Sequence, residues 1–133
     1  MSGPAKLYSD YLEREGYRPT IDSDGDVIFK REGKLYYVDI DTSDASFFRL
    51  VYPQFWRIED GEELARVLLA ANTANAKTKV AKVYVLGNLT DTSASIEMFF
   101  DRPEQFSPVF HRAMSALLAG VANFVEAMRA GHQ

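Results

Sequence analysis

Residues 23–40 have the sequence SDGDVIFKREGKLYYVDI, and this segment decides the fold. Apolar side chains lie two apart in each half of it: Val27 and Phe29, then Tyr36, Val38 and Ile40. This is the period of a β-strand. Turn residues precede both strands, at 23–26 and 32–33, where Gly supplies the positive φ of a tight hairpin. The segment therefore predicts successive antiparallel strands joined by short turns.

The flanking sequence predicts three helices and three more strands. Helical spacing of apolar residues covers 5–15, 60–77 and 107–129, and strand-like spacing covers 47–52, 80–86 and 93–100. Strands and helices do not alternate, which disfavours a parallel sheet. The pattern predicts an α+β fold: an antiparallel sheet with three helices on one face, in the order α-β-β-β-α-β-β-α, with room for one extra short strand.

Local signals set the expected bounds of these elements. Asp60 and Glu63 have the spacing of a capping box at the start of the second helix. Ser107 followed by Pro108 suits the N-cap and first turn of the third helix. Pro53 has no backbone N–H and is expected to end the third strand.

The apolar phase of each element also predicts the core. The expected core residues are Leu12, Val38, Ile40, Leu50, Leu68, Val83, Val85, Ile96, Met98, Leu117 and Val121. In the second helix the expected buried stripe is Leu64, Val67, Leu68 and Ala71.

Length and composition predict one globular domain over 1–133. The 133 residues are 47% hydrophobic and 26% charged, too apolar for a disordered chain and too polar for a membrane protein. No apolar run approaches the roughly 20 residues of a spanning helix, and residues 1–6 lack the pattern of a secretory signal. We therefore expect a cytoplasmic protein that does not bind membranes.

The residue inventory narrows the chemistry further. The chain has no cysteine and two histidines, so we expect no disulfide, no cofactor and no tightly bound transition metal. The net charge is −4 and the basic residues are scattered, which disfavours nucleic-acid binding.

Asp22, Asp24 and Asp26 alternate as the carboxylates of a calcium loop do. An EF-hand loop beginning at Asp22 would need Gly and Glu where this chain has Val27 and Gly33. We interpret the stretch as a solvated hairpin turn and assign no metal ligands. Calorimetry with divalent ions tests the cation-binding alternative.

Few residues are candidates for catalysis. Asp39 and Asp41 lie two apart on a strand and would share a face, while His111 and His132 are the two histidines. No Gly-rich phosphate loop, nucleophile elbow or helical zinc motif is present. We therefore expect a protein that is not an enzyme and assign no catalytic residues.

A homodimer is expected because the face of the sheet opposite the helices carries bulky apolar residues that one copy of the chain leaves exposed. If Tyr36, Val38 and Ile40 face the helices, a set of bulky residues faces the other way: Tyr37, Phe47, Val51, Tyr84 and Phe99. Exposed aromatic patches of this kind usually mark contact surfaces. These five residues are the predicted interaction surface. The third helix, with its small residues Ala116, Ala119 and Gly120, is a second candidate surface.

Four short stretches resemble the YbjN domain family, often labelled as sensory transduction regulators: YLEREGY at 11–17, DGDVIF at 24–29, FFRL at 47–50, and Asn75-Ala76 before AKV at 81–83. The resemblance covers residues 7–128. It implies three helices on a strongly curved antiparallel sheet, a fold similar to that of type III secretion chaperones. It also implies frequent dimerisation and no established enzymatic activity, and it carries over no catalytic residues.

Two functional interpretations follow. The first is a non-enzymatic protein-interaction module, regulatory or chaperone-like, that forms homodimers and binds an unidentified protein partner. The alternative is a small-molecule or metal-responsive regulator that uses a pocket between helix and sheet. An enzyme ranks third, and would require Asp39, Asp41 and His111 to line one deep pocket.

Overall fold

The computed structural model describes residues 3–130. Its elements, in chain order, are α1 (Gly3–Arg14), β1 (Thr20–Ile21), β2 (Val27–Arg31), β3 (Lys34–Asp39), β4 (Phe47–Arg57), α2 (Gly61–Lys77), β5 (Ala81–Val85), β6 (Asp91–Phe99) and α3 (Phe106–Ala130). The predicted α+β class and element order are confirmed, with β1 as the extra short strand. No helix within the described range is long and apolar enough to cross a membrane.

The six strands form one open antiparallel sheet in the order β1-β2-β3-β4-β6-β5. Gly25 and Gly33 take positive φ values of 87° and 78° in the turns before β2 and β3, as the hairpin pattern requires. Register places Val38 opposite Leu50 and Leu50 opposite Ile96. All three side chains are fully buried. They form a row across the middle of the sheet on which the helices pack.

Strand β4 does not end at Pro53, so that prediction is wrong. The strand continues to Arg57, and its register with β6 shifts between Tyr52 and Trp56. Within this bulge Gln54 has a φ of 49°, and its backbone N–H donates to Ser93 Oγ at 2.8 Å. A bulge takes residues out of the ladder, which lets the strand tolerate a proline that cannot donate.

Helix α2 begins at the predicted cap. The Glu63 N–H donates to Asp60 Oδ1 at 2.8 Å, and the Glu63 carboxylate accepts from the Glu59 N–H at 2.6 Å, one residue before the cap. The predicted buried stripe is confirmed at Val67 and Ala71, with Leu64 partly buried, and is wrong at Leu68. The buried face consists of Val67, Ala70, Ala71 and Ala74. Leu68 is 52% exposed, because the small side chains, rather than the leucine, face α3 and β5.

Helix α3 begins at Phe106, just before the predicted Ser107 cap, and follows a short 3₁₀ turn at Pro103–Gln105. Its predicted apolar stripe is buried against the sheet, with Val121 partly buried: Phe110, Met114, Leu117, Phe124 and Met128. At Gly120 the helix comes so close to β5 that a Cβ there would lie 3.0 Å from Ala81 Cβ. Gly120 therefore admits a strand of the same chain.

Six of the predicted core residues are buried: Leu12, Val38, Leu50, Val83, Ile96 and Leu117. Four more are partly buried and pack against that core: Ile40, Val85, Met98 and Val121. An aromatic cluster extends the core under α1, where the Tyr8 and Phe106 rings lie 4.6 Å apart. Burial there raises the pKa of Tyr8 to about 12, with a further contribution from the Glu104 charge.

Candidate functional site

The outer face of the sheet, opposite the helices, carries all five residues of the predicted interaction surface. Tyr37 pairs with Val51, and Phe47 pairs with Phe99, so each pair projects on the same side of adjacent strands. Tyr84 reaches this face from β5. The strand alternation thus gathers side chains that lie far apart in the sequence.

Arg49 lies in the middle of the outer face and organises its polar groups. Its guanidinium donates to Asp39 Oδ2 at 2.9 Å and to the Tyr84 hydroxyl at 2.8 Å, and lies 3.6 Å from Glu97 Oε2. Lys82 Nζ approaches the same Glu97 oxygen at 3.1 Å. Because β3, β4, β5 and β6 each contribute, the network ties four strands together.

The protonation states of this network follow from its contacts. Burial acts to lower the pKa of Arg49, but Tyr84 and Asp39 outweigh it and raise the pKa above its ordinary value. Burial acts to raise the pKa of Glu97, but hydrogen bonds from Ser95 and Lys82 lower it overall. Both groups therefore stay charged at neutral pH, and each is paired with an opposite charge.

The aromatic surface is divided rather than continuous. Val51 is only 1% exposed, so it cannot contact a partner directly. The accessible apolar part is the pair Phe47 and Phe99, whose ring centroids lie 5.9 Å apart. Phe99 is 76% exposed, the highest value among the large hydrophobic residues exposed in the described range.

A pocket of about 560 Å³ lies beside α3 and is called the α3 pocket below. It is bounded by three parts of the chain. The first is the end of α2 with the loop that follows it: Lys77, Thr78, Lys79 and Val80. The second is Ile96 and Met98 of β6, and the third is one side of α3: Val109, Arg112, Ala113, Ser115, Ala116, Ala119 and Asn123. Strand β5 pairs with β6 only as far as Ile96. The pocket therefore forms beside the start of β5 at Ala81, where β6 continues past Ile96 with an open edge beneath α3.

The Asp-rich turn uses its carboxylates locally. Oxygens of Asp22, Asp24 and Asp26 all lie within 4.8 Å of one another. Asp22 Oδ1 accepts from the backbone N–H groups of Asp24 and Asp26, and Asp26 Oδ1 accepts from the Ile40 N–H at 2.8 Å. These bonds hold the hairpin through the carboxylates of Asp22 and Asp26.

Of the remaining candidate residues, Asp39 and Asp41 line one small depression of about 10 Å³ next to Phe47, and His111 does not. Asp39 faces Arg49, Asp41 accepts hydrogen bonds from Ser43, and His111 Nε2 lies 2.6 Å from Glu15 Oε1 on the exposed side of α3. Hydrogen bonds from Ser43 lower the pKa of Asp41. The three therefore do not line one pocket. His132 lies outside the described residues.

This architecture can be compared with known proteins. No protein-family model matches the sequence, and no curated protein sequence matches it. Among solved structures, YbjN from E. coli, described as a candidate transcription regulator, superposes with a TM-score of 0.66. The match covers 95% of this chain and 92% of that one, at 11% identity.

The chain has a YbjN-like fold. An uncharacterised protein from Methanothermobacter thermautotrophicus shares it, with a TM-score of 0.58 and 10% identity over 94% of this chain and 99% of that one. These identities establish the fold alone. They agree with the resemblance in the sequence.

Sequence reasoning did not find the role of Arg49 or the position of the α3 pocket. Arg49 lies between the core residues Phe48 and Leu50, and strand alternation directs it only away from the core; its partners come from three other strands. The one available signal was that strand alternation places Asp39, Tyr84 and Glu97 on the same face of the sheet as Arg49. No sequence signal marked the pocket, which combines three separate parts of the chain.

Proposed function

We propose that the protein is a non-enzymatic regulatory module that acts in the cytoplasm through protein–protein contacts and forms a homodimer by its outer sheet face. The observation that carries this proposal is the exposed aromatic pair. Phe99 is 76% exposed and lies against Phe47 on a sheet face that no helix covers. Aromatic side chains are enriched at the centres of protein interfaces.

The charges next to this pair support an interface. Arg49 and Lys82 are neutralised by Asp39 and Glu97 within the protein, so a partner would not have to leave an unpaired ion buried. In a two-fold dimer the same surface packs on itself, which would bring two Phe99 side chains and their Phe47 neighbours together. The regulatory part of the proposal draws on the description of E. coli YbjN, which shares the fold.

Within residues 3–130 the candidate residues do not assemble into one catalytic site, which favours binding over catalysis. His111 pairs with Glu15, away from the small depression that Asp39 and Asp41 line, and those two carboxylates pair with Arg49 and Ser43. An acid–base mechanism needs such groups within reach of one substrate.

Light scattering tests the proposed dimer. At micromolar concentration the protein should have about twice its chain mass of 15.0 kDa. Phe99→Glu should shift the mass to that of a monomer, because two carboxylates would be buried in an apolar contact. Leu69→Glu, at a 71% exposed residue of α2, is the matched control and should remain dimeric. A monomeric wild type contradicts the proposal, and loss of the dimer only in Leu69→Glu places the interface on α2.

A second candidate function, a small-molecule-responsive regulator, is favoured by the α3 pocket. Its volume of about 560 Å³ falls in the ~300–1,000 Å³ range of ligand-binding sites. A bound ligand would contact the loop after α2, α3 and β6 together, so it should stabilise the fold. Filling the pocket with Ala119→Trp should abolish any thermal stabilisation by such a ligand, whereas Ala122→Trp on the exposed side of α3 should preserve it.

A further inference from the structure

We propose that the α3 pocket binds a long-chain aliphatic carboxylate, with its carboxylate held by Lys79 and Arg112 and its chain lying along the apolar wall of the pocket. This inference rests on the second candidate function, and it names the class of ligand.

The wall of the pocket is suited to an unbranched chain. It is built largely from aliphatic side chains of three elements: Val80, Ile96, Met98, Val109, Ala113, Ala116 and Ala119. The alanines of α3 keep the groove open, since larger side chains there would fill it. Ile96 is fully buried, so the floor is part of the hydrophobic core. An apolar chain placed here would lose its contact with water.

The charged groups of the pocket are all cations. Lys77, Lys79 and Arg112 line it, and no Asp or Glu does, in a protein whose net charge is −4. Elsewhere in the chain, Lys6 pairs with Asp10, and Lys82 with Glu97. Within residues 3–130 the three pocket cations form no salt bridge. The pocket is therefore complementary to an anion.

The mouth of the pocket is held in an unusual backbone conformation. Val80 has a φ of 69°, and the Ala81 N–H donates to the Lys79 carbonyl across it at 2.7 Å, which makes a γ-turn. A β-branched residue rarely adopts this conformation, and such strain concentrates at functional sites. This turn places the apolar side chain of Val80, which is 56% exposed, next to the cationic Lys79.

Hydrogen bonds hold the neighbouring residue Thr78. Asn123 Nδ2 donates to Thr78 Oγ1 at 2.9 Å, and Thr78 Oγ1 donates to the Ala74 carbonyl at 2.6 Å. This chain connects α3 with the end of α2 and fixes the width of the groove. The combination of an apolar wall and a cationic lining selects an amphipathic anion. A compact inorganic anion would leave the apolar wall in contact with water.

Isothermal titration calorimetry with dodecanoate, below its micellar concentration, tests the inference. We expect saturable binding of one dodecanoate per chain, and no comparable binding of acetate or of dodecylamine, which lack the chain and the negative charge respectively. Lys79→Glu/Arg112→Glu should weaken dodecanoate binding by at least about tenfold, because two charge-assisted contacts are lost. Lys30→Glu/Lys34→Glu changes the net charge equally at exposed positions outside the pocket and should bind as the wild type does.

Each result bears on a different claim. Absence of dodecanoate binding, equal binding of dodecylamine, or full binding by Lys79→Glu/Arg112→Glu overturns the inference. Loss of binding in Ala119→Trp with retention in Ala122→Trp supports it and places the ligand in the α3 pocket. Circular dichroism of each variant confirms that it is folded. A protein that fails to bind dodecanoate but dimerises through Phe99 would leave the proposed interaction module standing.

Discussion

Asn75 pairs with the backbone of Val83 as a neighbouring strand would. Its amide Nδ2 donates to the Val83 carbonyl at 3.1 Å, and its Oδ1 accepts from the Val83 N–H at 2.8 Å. Strand β5 is an edge of the sheet, and edge strands present unpaired backbone groups that invite aggregation. A single side chain of α2 therefore closes part of this edge and joins the helix to the sheet.

Replacing this amide should destabilise the protein. Asn75→Ala leaves the Val83 N–H and carbonyl without their side-chain partner, and we expect a loss of about 1–2 kcal/mol in the free energy of unfolding. Asn75→Asp should cost at least as much, because a carboxylate oxygen would face the Val83 carbonyl. Asn72→Ala, at an exposed position of the same helix, is the control. Urea denaturation measures all three, and equal stabilities of Asn75→Ala and Asn72→Ala would contradict the assigned role.

Gly120 should tolerate no large side chain. A Cβ at this position would lie 3.0 Å from Ala81 Cβ and 3.6 Å from Val83 Cγ2, so Gly120→Leu must push α3 away from β5. We expect a loss of about 1–3 kcal/mol, typical of overpacking. Ala122→Leu places the same side chain on the exposed side of α3 and should be close to neutral. If Gly120→Leu melts at the same temperature as Ala122→Leu, α3 and β5 do not pack this closely.

The burial of α2 predicts opposite outcomes for two adjacent residues. Val67 is fully buried, and truncation to Ala should cost about 2 kcal/mol through lost methyl burial and a small cavity. Leu68 is 52% exposed, and Leu68→Ala should change stability by less than about 0.5 kcal/mol. Thermal melting measures both variants. The sequence pattern placed both residues in the core, so a loss from Leu68→Ala as large as that from Val67→Ala would support that assignment instead.

The Glu97 network predicts a specific dependence of stability on pH. The folded state lowers the pKa of Glu97, so the unfolded chain binds a proton more readily and stability falls on acidification. Glu97→Gln should lose on the order of 1 kcal/mol at neutral pH, since the group is partly exposed. This difference should shrink as the pH falls below 4.5, the ordinary pKa of the group, and vanish below the lowered folded pKa. A difference that stays constant from neutral to acidic pH would rule out the ionic contribution.

Features that depend on residues close together in the sequence were predictable from the sequence. Apolar period and turn glycines fixed the β2–β3 hairpin, and the Asp60 cap fixed the start of α2, because hydrogen bonds and φ preferences act within a few residues. The row of Val38, Leu50 and Ile96 followed from the same alternation. These features place an antiparallel sheet beneath helices, and the YbjN-like fold agrees with them.

Which surfaces a partner or ligand can reach depends on the tertiary structure. Leu68 lies outside the core because α2 packs closely on α3 and β5. The side chains that fit between these elements are the small ones of Ala70, Ala71 and Ala74, although leucine is more hydrophobic than alanine. Val51 is buried on the outer face, where Arg49 gathers charges from four strands. The α3 pocket exists because β5 begins only opposite Ile96, which leaves the rest of β6 unpaired on that side beneath α3. Such features depend on contacts between distant segments, which no local period or turn signal encodes.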